Sequence, residues 1–265
     1  MKNIFKKKDT KERYGTGLVL SGGGTRGFAH LGVLKALQEH DIHPDIISGV
    51  SAGAIVGVLY ADGKPPEEIL EILTSNKLLS FIEFTIPQTG LIKMSGFEKT
   101  LNKHLKAKNF EDLNIPLKVF AVNINTAEYV CFEKGTLSDA VKASASIPIV
   151  FPPVKIGEHY YSDGGTINNF PVEPLVDRCD RIIGVSVNPL GEKYNLDNLK
   201  KIAERTFQLA IRSHTMERKK MCDIYIEPEG LDDFGLMNLS GSNKIFELGY
   251  EATLRALKEK GWDKK

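Results

Sequence analysis

Short apolar runs and longer amphipathic stretches alternate through the first part of the chain. Leu18-Val19-Leu20 is a brief run that predicts a strand. From about Gly27 to His40, Phe28, Leu31, Leu34 and Leu37 recur every three residues, the spacing of a helix with one apolar face. Pro44-Asp45 leads into a second strand, Ile46 to Gly49, and a largely apolar helix then runs to about Ala61. Asp62-Gly63 closes that helix. Pro65-Pro66-Glu67-Glu68 opens the next, with proline and acids in its first turn. This β-α-β-α order predicts a parallel sheet with helices on both faces.

Further along, Leu117 to Asn123 and Tyr129 to Phe132 read as strands, and Leu137 to Ala145 as a short helix. Lys155-Ile156 and His159-Tyr160-Tyr161 flank Gly157-Glu158 and predict a hairpin that delivers the chain to Asp163-Gly164-Gly165. Arg181 to Val187 and Ile224 to Glu227 read as strands. Helices are expected near Gly96 to Lys106, Asn195 to Lys220 and Ser242 to Lys260. Residues 77–96 carry an apolar stretch broken by Pro87 and Gly90. It reads equally as core packing around a loop and as a flap over an apolar site. No repeat or linker-like shift divides the chain, so residues 15–265 are expected to form one domain behind a tail of residues 1–14.

Composition narrows the class. At 265 residues with 42% hydrophobic, the chain can bury a substantial core. Its 35 basic and 34 acidic residues nearly cancel, so no nucleic-acid partner is expected. Cys131, Cys179 and Cys222 are scattered and form no C-x-x-C, which implies neither a disulfide framework nor a zinc site and suits a cytoplasmic location. The tail holds Lys2, Lys6, Lys7, Lys8, Lys11 and Arg13 with no apolar segment after it, so it is not a signal peptide. It reads as a solvated, disordered terminus. The alternative is a transient, peripheral contact with anionic lipid, at about 1 kcal/mol per basic residue near the surface. No apolar run approaches the ~20 residues that span a bilayer.

The chemistry concentrates at two turns. Gly49-Val50-Ser51-Ala52-Gly53 is G-x-S-x-G between a predicted strand and a predicted helix, a context that makes Ser51 the candidate nucleophile. Ser51 also opens a helix, where backbone N–H groups stabilise developing negative charge. Upstream, Ser21-Gly22-Gly23-Gly24-Thr25-Arg26-Gly27 follows the first strand. Gly22, Gly24 and Gly27 also satisfy G-x-G-x-x-G, but the dinucleotide reading wants an acid at the end of the second strand, and that strand ends at the serine. The better reading is an oxyanion hole made by the N–H groups of Gly23, Gly24 and Ala52; the bland one is a turn that lets helix and sheet pack closely. Arg26 reads as a solvated charge, a brace for the loop, or an attractor of an anionic head group. None of the six histidines (His30, His40, His43, His104, His159, His214) sits in a pocket-like setting, and each reads as a surface or core residue. Asp163-Gly164 by itself reads as a turn.

Taken in order, Gly22 to Gly27, Gly49 to Gly53, the run Ala143-Ser144-Ala145-Ser146-Ile147-Pro148 with Phe151-Pro152-Pro153, and Asp163-Gly164-Gly165 resemble the patatin-like phospholipase family. The likeness covers roughly residues 15 to 190, and its motifs are met without departure. The resemblance implies a three-layer α/β/α fold with a mostly parallel central sheet. It also implies a serine–aspartate dyad without a catalytic histidine: Ser51 as nucleophile, Asp163 as base, and Gly22 to Gly27 as the oxyanion loop. No metal and no organic cofactor are expected, and the implied substrate is a lipid acyl ester. The rival readings are acyl transfer or small-ester hydrolysis at the same site, nucleotide binding by the glycine loop, and a catalytically silent interaction domain. A free aspartate, with a pKa near ~3.9, is a feeble base for a serine hydroxyl, so the dyad needs burial to raise it.

Overall fold

The computed structural model describes residues 12–75, 95–148, 150–191, 197, 199–236 and 239–263. Its strands are β1 (Tyr14–Leu20), β2 (Ile46–Val50), β3 (Leu117–Asn123), β4 (Glu128–Phe132), β5 (Val154–Ile156), β6 (His159–Asp163), β7 (Cys179–Val185) and β8 (Ile224–Ile226). The helices are α1 (Phe28–Glu39), α2 (Ala52–Ala61), α3 (Pro66–Ser75), α4 (Ser95–His104), α5 (Leu137–Ser144), α6 (Leu199–Arg218) and α7 (Ser242–Lys260). All strands belong to one sheet in the order β5-β6-β3-β2-β1-β7-β8, with β4 also paired to β3. The β1–β2, β2–β3, β1–β7 and β7–β8 pairs are parallel, whereas β4, β5 and β6 add antiparallel pairs. This is the expected mostly parallel α/β sheet. No helix among the described residues is long and apolar enough to cross a membrane.

The period-2 alternation of β1, β2 and β7 sorts their side chains between two cores. Leu18 and Leu20 of β1, Ile47 of β2, and Ile183 and Val185 of β7 join the larger core, which also takes the apolar faces of α1, α2 and α5. Val19, Ile46 and Ile182, one residue out of phase, join a smaller core closed by Phe170, Val172 and Leu175. Because both faces are covered, the central strands read as continuous apolar runs. On α1, Leu31, Leu34 and Leu37 are fully buried, each stabilising the fold by roughly 1.5–3 kcal/mol.

The start of the first strand differs from expectation. β1 starts at Tyr14, four residues before the apolar run and inside the segment assigned to the tail. Tyr14 pairs with Cys179, and its N–H donates to the Arg178 carbonyl at 2.8 Å. Pairing with a distant strand, which leaves no local apolar signature in Tyr14-Gly15-Thr16-Gly17, extends it. Residues 77–96, read as loop or flap, lie mostly outside the described residues; the helix after them is α4.

α1 and α7 cross at two glycines. A Cβ on Gly32 would stand 1.9 Å from the Phe246 carbonyl oxygen, and one on Gly249 would stand 2.1 Å from that of Ala29. Gly249→Ala gains about 0.8–1.0 kcal/mol of helix propensity. It also drives a methyl group into backbone that cannot move aside, and overpacking costs about 1–3 kcal/mol or more. The variant is expected to melt several degrees below the wild type in a thermal scan; an equal or higher Tm would contradict this helix crossing.

Candidate active site

One edge of β3 is shared by two strands. β2 pairs with its first half, ending at Val50 opposite Phe120, and β6 pairs with its second half, ending at Asp163 opposite Ala121. β4 overlaps both segments and so must occupy the other edge. Asp163 therefore sits where β2 has just left the sheet, which is where Ser51 turns the chain into α2. Residues separated by more than a hundred positions meet because β3 outruns β2.

Ser51 has φ 53° and ψ −120°, a left-handed conformation uncommon for a side chain with a Cβ and costing about 1–3 kcal/mol. Close packing holds it there. A Cβ on Gly49 would meet the Gly53 carbonyl oxygen at 2.7 Å, and one on Gly53 would meet that of Leu20 at 2.2 Å. The Ser51 N–H donates to Ser144 Oγ at 2.9 Å, and its carbonyl accepts the N–H groups of Ala54 and Ile55.

Asp163 is buried, and the Ser51 side chain lies close enough to favour its ionised form. Burial pushes the carboxyl up to about 6; the neighbouring Ser51 side chain and the hydrogen bond from the Gly165 N–H, at 2.7 Å, pull the other way. The Asp163 N–H and the Ser162 hydroxyl both donate to the Ser146 carbonyl, at 2.9 and 3.0 Å. Ser144 and Ser146 thus brace the two site residues from one short segment at the end of α5. Sequence reading quoted that segment for its resemblance alone and missed these contacts; its only local signal was a cluster of small residues.

The glycine loop lies alongside. The N–H groups of Gly23, Gly24 and Ala52 donate to nothing among the described residues. Gly24 and Ala52 line one small apolar cleft of about 20 Å³ with Gly27, Phe28, Ile55, Val56 and Leu73. Gly27 lets the loop touch α2, since a Cβ there would meet that of Ala52 at 2.7 Å. Thr25 and Arg26, expected within the oxyanion loop, have their N–H groups engaged by the carbonyls of Leu236 and Gly23. Their side chains donate to Gly235 and Phe234 carbonyls at 2.7 and 2.8 Å. Arg26 is buried, which overturns the solvated-charge reading, and its bond to the Phe234 carbonyl is that of a brace.

His30 is fully buried, its Nε2 lies 2.9 Å from the Ser21 carbonyl, and burial lowers its pKa to about 4, so it stays neutral and props the glycine loop. His40 bonds the Ala36 carbonyl, His43 and His159 are exposed, and position 214 falls inside α6. Among the described residues, Asp163 is the titratable side chain whose ionisation the Ser51 side chain influences.

Comparison with known proteins agrees with this architecture. Patatin-like phospholipase domain-containing protein 7 of Rattus norvegicus is 28% identical over 271 residues, covering 88% of this chain and 20% of that protein. An NTE family protein of Mycobacterium bovis is 31% identical over 174 residues, covering 64% of this chain and 48% of its own. The chain thus spans about a fifth of the first relative and about half of the second. VipD from Legionella pneumophila shares the fold with a TM-score of 0.56 at 17% identity, over 94% of this chain and 67% of VipD. The family model for patatin-like phospholipases matches residues 18–176, which carry the glycine loop, the serine elbow and the Asp163 turn, and the chain belongs to that family.

Proposed function

We propose that this chain is a serine acyl hydrolase that cleaves acyl esters of lipids through a covalent acyl-enzyme, with Ser51 as nucleophile and Asp163 as base. The observation that carries the reading is a serine side chain beside a buried, raised-pKa carboxylate, at a strained strand-to-helix turn. Ser51 Oγ attacks the ester carbonyl carbon while its proton passes to Asp163. The carbonyl oxygen becomes an oxyanion facing the N–H groups of Gly23, Gly24 and Ala52. Collapse breaks the ester C–O bond, and Asp163 returns the proton to the departing alkoxide. Water then attacks the acyl-enzyme, losing its proton to Asp163, and the acid leaves as Ser51 regains a proton.

A carboxylate near 6 is a better base than a free one, and the unspent N–H groups share the burden by stabilising the charge as it forms. The lining beside Ala52 is apolar and offers little to a polar acyl group. The family and its relatives' names support lipid as substrate class. Acyl transfer would use the same first half-reaction, with an alcohol in place of water.

Ser51→Ala should abolish hydrolysis of a p-nitrophenyl ester and labelling by a fluorophosphonate probe, with folded content unchanged by circular dichroism. Retained activity would sink the nucleophile assignment. Asp163→Asn should remove nearly all activity. His159→Ala and His214→Ala should keep most of it; a thousandfold loss in either, the usual scale for a triad member, would mean that a histidine is the base.

The raised carboxyl also sets two pH responses of opposite sign. Asp163 must be ionised to take a proton, so kcat/KM should rise with pH through about 6 and then level. Folded Asp163 holds its proton more tightly than the unfolded residue, so its contribution to stability is present at low pH. It is lost as pH rises from the unfolded value near 3.8 to about 6. Above that, the ionised group opposes folding by on the order of 2–3 kcal/mol. Asp163→Asn should therefore melt at or above the wild-type temperature at pH 8 while being inactive. A markedly lower Tm there would contradict the raised pKa.

A further inference from the structure

Three donors converge on a single backbone oxygen at the start of the glycine loop. The Gly22 carbonyl accepts from Ser21 Oγ at 3.0 Å, from Asn169 Nδ2 at 3.2 Å and from Asn188 Nδ2 at 2.6 Å. All three side chains are buried. Ser21 Oγ itself accepts the Val187 N–H at 3.0 Å, which leaves its proton for Gly22. A carbonyl oxygen only accepts, so each amide must present its NH₂ end to it. The donors come from the end of β1, the segment after Asp163 and the segment after β7.

A carbonyl has two lone pairs, so three donors exceed what satisfying it requires. The excess has a conformational use. The Gly22–Gly23 peptide is trans, and its N–H therefore points opposite to the carbonyl, away from the two amides. It lies beside the serine, since a Cβ on Gly22 would stand 3.0 Å from that of Ser51. A peptide between two glycines is also the easiest kind to rotate, because neither neighbour restrains φ and ψ. Rotated, it would turn an oxygen toward any developing oxyanion and strand three buried donors.

We propose that Asn169 and Asn188 form an amide clamp, a pair of positioning residues that holds the Gly22–Gly23 peptide with its N–H toward the oxyanion formed at Ser51. The clamp has a second effect. Hydrogen bonds accepted by the carbonyl polarise the peptide and make its N–H a stronger donor. This inference rests on the hydrolase reading above. Asn188 is the cleaner probe of the two, because Asn169 Oδ1 also lies close to Gly165, which holds Asp163.

The test compares wild type, Asn188→Ala and Asn188→Asp on a p-nitrophenyl ester. The aspartate is nearly isosteric but cannot donate, and it repels the carbonyl. Outright loss of an oxyanion donor costs about 10²–10³ in kcat, so loosening one should cost roughly tenfold or more. KM should stay within about twofold, and the acidic limb of the pH profile should remain at its wild-type position. The rate of fluorophosphonate labelling at Ser51 should fall in parallel. The aspartate variant should be at least as slow as the alanine one. If Asn188→Ala does not fold, Asn188→Ser, which keeps a short donor, should fall between wild type and Asn188→Asp.

A folded variant with kcat within about twofold of wild type overturns the clamp, as does a loss confined to KM or a moved pH limb. A measurement on the unaltered chain is independent of folding: the Gly23 amide proton should shift downfield when the probe's phosphoryl oxygen occupies the site, and an unmoved resonance overturns the clamp. Wild-type protein that is neither active nor labelled at Ser51 takes down both this inference and the hydrolase reading. A labelled wild type with undiminished Asn188 variants takes down this inference alone.

Discussion

β3 is three residues longer than its pairing with β2, and the site is built on that difference. Where β2 ends at Val50, β6 takes over the same edge at Ala121 and brings Asp163 in beside the turn. The backbone hydrogen bonds of one strand set the separation between two side chains from distant parts of the chain. An inserted residue on either side of that junction would reverse which face Asp163 occupies, because the side-chain period of a strand is two. The antiparallel pairing of β6 with the part of that edge left free by β2 is what brings Asp163 to the turn.

Two unfavourable features meet at this junction. Ser51 is held at positive φ, and a carboxyl group is buried where its ionised form is poorly solvated. Neither would persist alone. The end of α5 restrains both: Ser144 takes the Ser51 N–H, and the Ser146 carbonyl takes donors from Ser162 and Asp163. The larger core behind α1, α2 and α5 supplies the rigidity that keeps this strained arrangement in place.

The glycine loop depends on the far end of the chain. Phe234, Gly235 and Leu236 receive donors from Arg26 and Thr25, and Val187 and Asn188 hold Ser21 and Gly22. All of these partners lie beyond residues 18–176, the stretch that carries the family's motifs. A Cβ on Gly24 would come within 2.1 Å of the Leu236 oxygen, so the loop is pressed between the sheet and this later segment. The C-terminal third, unremarkable as sequence, shapes the loop from behind.

Helical spacing in α1, the apolar run of β2 and the small residues around Ser51 are local properties, and each was legible because its cause lies within a few residues. So was the candidate nucleophile, since a strand–serine–helix turn is defined by its own neighbours. Asp163 was legible only through the company of other motifs, because Asp-Gly by itself is a turn. The early start of β1, the burial of Arg26, the bracing by Ser144 and Ser146, and the convergence of Asn169 and Asn188 on Gly22 left no such trace. Each depends on a partner far away in the chain, and a hydrogen bond between distant residues imposes no periodicity on the sequence around either one. Local sequence determined which elements form and which serine stands at a strand-to-helix turn; strand order and register in the folded sheet decided what that serine touches.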